Sequence, residues 1–146
     1  MHRSDHDTVS HGEAGYTLTE MLIVIVIISL IAAVLTPSLL GQLARARVKT
    51  ASLQLESTVT ALGLFKDDVG RFPTQAEGLQ MLVADSGNTQ GWLGPYLKSA
   101  KALNDPWGRP LIYAQASDGS ATVTCLGADG KPGGKGVDQD LTESAR

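Results

Sequence analysis

Residues 15–40 read GYTLTEMLIVIVIISLIAAVLTPSLL, and this stretch decides the fold. From Met21 to Leu40 it contains 20 consecutive positions without a charged side chain, which is about the length that a helix needs to cross a bilayer. One carboxylate, Glu20, stands at the head of the run. Because a charge in hydrocarbon costs several kcal/mol, we expect Glu20 to meet a partner charge.

A secretory signal peptide and a plain membrane anchor are the ordinary explanations of such a run. A signal peptide needs a basic leader and a small-residue cleavage site after the apolar stretch. Here acidic side chains outnumber Arg3 in the leader, and residues 35–38 read LTPS. A plain anchor accounts for the length of the run but leaves Gly15 and Glu20 unexplained.

The sequence GYTLTE at residues 15–20, followed by the apolar run, resembles the class III signal of type IV pilins and type II secretion pseudopilins. The resemblance implies that a prepilin peptidase cleaves between Gly15 and Tyr16, removes residues 1–15 as a leader and leaves a methylated N-terminus. It also implies that Glu20 neutralises the N-terminal amine of a neighbouring subunit during assembly. Two features depart from the family pattern, since Tyr16 replaces the usual phenylalanine and the leader is acidic rather than basic.

The charges around the run raise a question of topology. Arg45, Arg47 and Lys49 follow it, whereas Arg3 is the one lysine or arginine before it. The positive-inside rule would therefore place the C-terminal part in the cytoplasm. The resemblance implies the reverse, with residues 16–40 crossing the inner membrane once and residues 41–146 in the periplasm. We follow the resemblance because its signal is more specific than a statistical rule.

The composition suits one small domain beyond the membrane segment. The chain has 146 residues and a formal net charge of −3, so its charge does not favour nucleic-acid binding. Cys125 is the one cysteine, which excludes an intramolecular disulfide, and we expect it to be a small core residue. His2, His6 and His11 all lie in the leader, and no catalytic set follows, so we expect no enzyme.

A helical pattern continues beyond Pro37 as far as Val69. Apolar residues recur there at helical spacing, namely at Val48, Leu55, Val59, Leu62 and Val69. Gly70 is a natural C-cap. We therefore expect one helix from about residue 16 to residue 69, with its first half in the membrane, a kink near Pro37 and an apolar stripe facing the C-terminal part.

The remaining sequence predicts short elements that pack on this helix. Thr74 and Glu77 form a capping-box pattern at the start of a predicted helix over Gln75–Ala84. Strands are predicted at Leu111–Gln115 and Ala121–Leu126, joined by a turn, and at least one further strand is expected. The fold class is therefore α+β, with a long N-terminal helical spine packed on a small antiparallel sheet.

The C-terminal loop is rich in glycine and aspartate. Residues 126–141 read LGADGKPGGKGVDQDL, and such an oxygen-rich loop suits calcium, although a solvated turn is the commoner outcome for this composition. Together with RFPT at 71–74 and DPWG at 105–108, the loop resembles the major pseudopilins of type II secretion. That resemblance implies a metal-binding loop in which Asp129 and the carbonyl of Leu126 hold calcium, with Asp138 and Asp140 as further ligands.

The resemblance also implies a structural role rather than catalysis. The expected function is the major subunit of a pseudopilus, which polymerises through its N-terminal helix into a filament that drives export of folded proteins across the outer membrane. The expected partners are other copies of the chain, the prepilin peptidase, minor pseudopilins and the inner-membrane assembly platform. Two alternatives are a type IV pilin for adhesion or motility, disfavoured by the single Cys125, and a minor tip pseudopilin, disfavoured by Glu20.

Overall fold

The computed structural model of the chain describes residues 15–85 and 87–146, with the main chain alone at position 37. The three leader histidines lie outside the described residues. The elements are the helix α1 (Leu18–Val69), the strands β1 (Ile112–Gln115), β2 (Ala121–Cys125) and β3 (Leu141–Ala145), and short 3-10 helices at Gly78–Leu82, Ala100–Leu103 and Gly136–Asp138. Internal contacts divide the chain into a first unit that ends at Leu39 and a second unit over Leu40–Arg146.

α1 confirms the predicted long helix. Its main chain is helical through Pro37, and the kink near Pro37 stays a prediction. The helix ends before Gly70, which has a φ of +82° and donates its N–H to the Lys66 carbonyl at 2.7 Å. Because glycine adopts this left-handed conformation at little cost, the predicted C-cap is confirmed.

The described part of the first unit, residues 15–39, consists of the start of α1 and three preceding residues. Its large apolar side chains are exposed along the whole stretch, with Leu22 at 59% and Val34 at 77%. Among the described helices, α1 is the one that is long and apolar enough to cross a membrane. A helix that is apolar all round requires lipid or other helices around it, which agrees with the expected membrane segment.

The second unit has a hydrophobic core built on one face of α1. The buried residues of this face recur every three or four positions, at Ala51, Leu55, Thr58, Leu62 and Phe65. The predicted stripe was right for Leu55 and Leu62, whereas Val59 and Val69 are only partly buried. Thr58 is tolerated in the core because its hydroxyl donates to the Gln54 carbonyl at 2.8 Å, so no buried hydroxyl is left unpaired.

The sheet completes the core. Its strands are antiparallel in the order β1–β2–β3, with Ile112 opposite Thr124 and Ala121 opposite Ala145. The buried residues of β2 alternate with more exposed ones, and they join the buried face of α1 in one cluster. Cys125 at the end of β2 is 2% exposed, as predicted for a small core residue.

The helix predicted over Gln75–Ala84 was wrong, because the structure has a five-residue 3-10 helix at Gly78–Leu82. The predicted capping pair does form. Thr74 donates its N–H to Glu77 Oε2 at 2.7 Å, and Glu77 donates its N–H to Thr74 Oγ1 at 3.3 Å. Gly78 then has a φ of +61°, and a left-handed residue cannot continue an α-helix.

The two predicted strands are each one residue shorter than expected. β1 begins at Ile112 because Leu111 donates its N–H to the Leu103 carbonyl at 2.8 Å instead of joining the sheet. β2 ends at Cys125 because Gly127, with a φ of +59°, turns the chain away. The further strand that was expected is β3, at the very C-terminus.

An ion pair holds the turn that follows α1. Arg71 makes a two-point contact with Glu77, from Nη1 to Oε2 at 2.7 Å and from Nη2 to Oε1 at 2.8 Å. The hydrogen bond from Arg71, followed by that from the Thr74 N–H, lowers the pKa of Glu77 from 4.5 to about 2. The carboxylate is therefore ionised at neutral pH, and it ties Arg71 to the capping box.

Candidate functional site

The N-terminus of α1 is the first candidate site. Glu20 Oε2 accepts hydrogen bonds from the Thr17 N–H at 2.8 Å and from the Thr17 hydroxyl at 3.0 Å. Thr17 Oγ1 in turn accepts from the Glu20 N–H at 3.1 Å. This is a reciprocal capping box, which satisfies free N–H groups at the helix start. The site residue Glu20 thus also caps its own helix.

Thr17 is a site residue that the sequence interpretation missed. The signal was present, because a threonine three positions before a glutamate at the head of an apolar run is a capping-box pattern. The predicted cleavage residues Gly15 and Tyr16 lie immediately before this box, and both are exposed. The structure therefore places the predicted scissile bond and the predicted assembly carboxylate at one end of α1.

The C-terminal loop, residues 126–140, is the second candidate site. Its two arms are joined by a hydrogen bond from the Ala128 N–H to the Val137 carbonyl at 2.9 Å. A Cβ at Gly127 would lie 2.5 Å from the Asp138 carbonyl, and one at Gly134 would overlap the same group. Glycine is therefore required at both positions for the main chains to approach.

The predicted calcium ligands take different roles within this loop. Asp129 is exposed and its Oδ1 accepts from the Lys131 N–H at 3.0 Å, while the Leu126 carbonyl accepts from the Gly130 N–H at 3.1 Å. Asp138 is half-buried and closes the loop through its main chain.

Asp140 differs from the other aspartates. Its Oδ2 accepts from the Gly133 N–H at 2.8 Å, while its Oδ1 is buried and has no hydrogen-bond partner among the described residues. Within the described part of the chain, no group of three or more His, Cys, Asp or Glu side chains is placed to hold a metal ion. The loop therefore offers one unpaired buried carboxylate oxygen and several carbonyls, and it does not bring the three aspartate side chains together.

An ion pair between the buried Asp105 and the partly exposed Arg109 lies beside the loop, and the sequence interpretation missed it. The Asp105 side chain is 3% exposed, and its Oδ2 accepts from Arg109 Nε at 3.0 Å and from Nη2 at 2.8 Å. Its Oδ1 accepts the N–H groups of Trp107 at 3.0 Å and of Arg109 at 2.8 Å. An aspartate that binds the N–H two residues later is a common turn former, so DPWGR contained the signal for this turn.

The same ion pair touches the end of β2 and the start of the loop. The Cys125 thiol donates to Asp105 Oδ2 at 3.7 Å, and burial raises the pKa of this thiol. Arg109 Nη2 also donates to the Gly127 carbonyl. The turn over residues 105–109 is thus connected directly to the C-terminal loop.

Two family models and several relatives match the chain. Residues 38–144 match the family model described as type II secretion system (T2SS), protein G, and residues 10–36 match the prokaryotic N-terminal methylation motif. Three relatives carry the name type II secretion system core protein G. The protein of Xanthomonas campestris pv. campestris is 37% identical over 131 residues, covering 89% of each chain. That of Pseudomonas aeruginosa is 36% identical over 134 residues, covering 88% of this chain and 93% of the relative. That of Vibrio cholerae is 34% identical over 133 residues, covering 88% and 90%.

A solved structure has the same fold. The crystal structure of the major pseudopilin from the type 2 secretion system of enterohaemorrhagic Escherichia coli superposes with a TM-score of 0.52 at 24% identity, covering 73% of this chain and 93% of that one. The family is named for a component of a secretion system, not for an enzyme. With a family model that matches most of its length and relatives above 30% identity, this chain belongs to the type II secretion system protein G family.

Proposed function

We propose that the chain is the major, repeating subunit of a type II secretion pseudopilus. The observation that carries the proposal is the exposed apolar part of α1, residues 21–39, which is headed by Glu20 and joined to a unit with its own core. Such a helix is favourable in lipid and, after extraction, against the same helix of other copies. Polymerisation through α1 would build a filament that drives export of folded proteins across the outer membrane.

Complementation tests this proposal. The chain would replace core protein G in a bacterium that has an intact secretion system, and secreted enzyme and sheared filaments would be measured. Restored secretion, with the chain labelled along the length of the filaments, is expected. Label at the filament tips alone would indicate a minor pseudopilin, and surface pili without secretion would indicate a type IV pilin. The minor pseudopilins and the inner-membrane platform of the host are the assembly partners in this experiment.

We further propose that the chain matures by cleavage between Gly15 and Tyr16, followed by methylation of the new N-terminus. Both residues are exposed just before α1, and the methylation motif covers them. Intact mass of the protein extracted from membranes would show a chain that begins at a methylated Tyr16. Gly15→Val should prevent this processing, whereas Gly41→Val, which lies within α1 and away from the bond, should not.

The proposed topology is a single pass through the inner membrane, with residues 41–146 in the periplasm. The support is the apolar part of α1 and the family's methylation motif. The double variant Ser57→Cys, Cys125→Ser has a single cysteine at an exposed position. This cysteine should react with a membrane-impermeant maleimide in spheroplasts with intact inner membranes. Labelling that requires lysis of the spheroplasts would contradict the proposed orientation.

We propose that Glu20 pairs with the N-terminal amine of a neighbouring subunit. Among the described residues Glu20 uses Oε2 alone for its bonds to Thr17, so Oε1 is available to a cation. Glu20→Gln keeps the size of the side chain but removes its charge, and it should give inserted, unassembled subunits. Glu56→Gln, which removes an exposed carboxylate from a later part of α1, is the matched control and should assemble normally.

We propose that the C-terminal loop binds calcium through the carboxylates of Asp129, Asp138 and Asp140 and the carbonyl of Leu126. The unpaired buried Oδ1 of Asp140 supports this, because an uncompensated buried carboxylate oxygen is costly. Hard oxygen ligands in a flexible loop suit calcium. Because the described loop does not bring the three carboxylates together, a bound ion would draw them towards it, so binding and rearrangement of the loop would be coupled.

Thermal melting of the mature protein in detergent tests this site. An ion that binds the folded state alone adds about 2.7 kcal/mol at one hundred times its Kd, so calcium should raise Tm and chelator should lower it. Asp140→Asn should abolish the calcium effect. Asp118→Asn, in the β1–β2 turn, removes an aspartate from another loop and should keep it. Equal Tm values with calcium and with chelator would show that the loop is a plain turn.

A further inference from the structure

We propose that Arg109 is a positioning residue for the C-terminal loop, and that it holds together the two arms from which a cation would be bound. The cation part of this inference rests on the proposed calcium binding. The proposal concerns a side chain outside the loop, which would touch no metal ion. Its evidence is a series of contacts that leads from the buried Asp105 to the main chain of Asp138.

The first step is the anchoring of the guanidinium. Asp105 is nearly inaccessible, and Nε and Nη2 of Arg109 both bind its Oδ2. The main-chain N–H groups of Trp107 and Arg109 bind the other oxygen. Because this carboxylate is buried and also held by main-chain donors, it fixes the orientation of the arginine head group.

The second step is the contact of the guanidinium with the first arm of the loop. Nη2 donates to the Gly127 carbonyl, and Nη1 lies so close to Gly130 that a Cβ there would overlap it. Both glycines are close in sequence to the proposed ligands. Gly127 directly follows Leu126, and Gly130 directly follows Asp129. Arg109 therefore sets the path of the main chain that carries both ligands.

The third step passes from the first arm to the second. The space beside Gly127 is filled by the main chain of Asp138, where a Cβ would be 2.5 Å from the Asp138 carbonyl oxygen. The Ala128 N–H bonds to the Val137 carbonyl at 2.9 Å next to this contact. Because Gly127 is in contact with both Arg109 and Asp138, release of the guanidinium would loosen both arms together.

Charge and position make opposite demands on this residue. A guanidinium near a calcium site repels the ion, so removal of its charge would by itself tighten calcium binding. Loss of the contact between Arg109 and the Gly127 carbonyl would instead weaken calcium binding. Arginine can bind Asp105 and Gly127 at once through its fork of donors, whereas lysine offers a single ammonium centre. The variant Arg109→Lys therefore separates the two effects, since it keeps the charge and loses the fork.

The experiment uses the mature full-length protein in detergent micelles, with calcium titrated calorimetrically and amide exchange of residues 126–140 measured in chelator. Arg109→Gln and Arg109→Lys should each weaken calcium binding at least tenfold and should speed exchange in the loop at least tenfold without calcium. Arg71→Gln is the matched control, since it breaks an arginine–carboxylate pair away from the loop, and it should leave both quantities unchanged. Calcium binding by Arg109→Lys that equals the wild type would overturn the proposal, as would tighter binding by Arg109→Gln.

The two proposals about the loop can fail separately. If the wild-type protein binds no calcium, the proposed calcium site is wrong. Amide exchange in chelator still tests whether Arg109 holds the loop. Unchanged exchange over residues 126–140 in both Arg109 variants would then overturn the role of Arg109. If Arg109→Gln does not fold, Arg109→Lys decides the result, because its aliphatic stem and charge preserve most of the packing of the turn.

Discussion

The two units of this chain share one helix and use it in opposite ways. In the first unit, the large apolar residues between Met21 and Leu35 are exposed, and the described residues of the chain place no core over this part of α1. In the second unit, α1 buries one stripe, which includes Leu55 and Phe65, under the sheet and the short helices. The same apolar residue types therefore serve two purposes. The first unit leaves its apolar surface exposed, whereas the second is stabilised by its own core.

This difference predicts that the two units respond to different mutations. Truncation of a core residue in the second unit should lower the free energy of unfolding. A similar truncation in the first unit should act on membrane insertion or assembly instead. Trp92 and Trp107 both lie in the second unit and pack against its core, so tryptophan fluorescence reports the unfolding of this unit alone.

The largest effect is expected from Phe65→Ala. Phe65 is 0% exposed and packs edge-on against Tyr96 at 5.7 Å between ring centres. Loss of a buried phenylalanine costs about 3–5 kcal/mol through transfer and cavity terms. Chemical denaturation of the mature protein in detergent, followed by tryptophan fluorescence, measures this loss. Leu30→Ala, at a residue that is 64% exposed, should leave the same transition unchanged, and an equal shift would mean that the units are not independent.

A smaller effect is expected within the C-terminal loop from Gly127→Ala. The substitution meets the Asp138 carbonyl and also a φ of +59°. Gly133→Ala is the matched control, because Gly133 has a φ of +96° but open space around it. The left-handed conformation costs each alanine about 1–2 kcal/mol, and overpacking adds about 1–3 kcal/mol at Gly127 alone. Urea denaturation should separate the two variants by that difference, and equal losses would show that the loop accommodates the added methyl group.

The ion pair after α1 predicts a pH-dependent effect of about 1 kcal/mol, since both partners are partly exposed. The pKa of Glu77 is lowered from 4.5 to about 2 by Arg71, so its contribution is complete above pH 4.5 and is lost as the pH falls towards 2. Glu77→Gln should therefore be less stable than the wild type at pH 6, and the two should converge near pH 2. A stability difference that is constant across this range would contradict the assignment.

The smallest effect on free energy is expected at the capping box of the first unit. Thr17→Val removes the hydroxyl that binds Glu20, which should cost about 0.5 kcal/mol, the low end for a cap at an exposed helix start, and nothing in the core of the second unit. Amide exchange at residues 18–21 in micelles should become faster. Thr19→Val is the control, because Thr19 is an exposed threonine two residues further along the chain. Equal exchange in the two variants would show that the box does not hold the helix start.

Much of the site could be anticipated from short-range patterns, and the exceptions are instructive. The motif at residues 15–20 placed the candidate cleavage bond and Glu20 at the start of α1, where the structure has them. The pairing of Glu20 with Thr17 was readable from the same residues but was missed. The C-terminal loop was located correctly, yet the structure does not gather its three aspartate side chains. Composition indicates which ligands are available, whereas their arrangement depends on contacts that arise only on folding.

Local sequence was sufficient for the length of α1, its end at Gly70 and the turn between β1 and β2, because periodicity and backbone preference act over a few residues. Tertiary structure alone decided the burial of Thr58 and the contact of Arg109 with Gly127. That contact joins residues separated by 18 positions, and no local pattern carries such information. Its existence depends on a core that first brings β2 and the turn over residues 105–109 together.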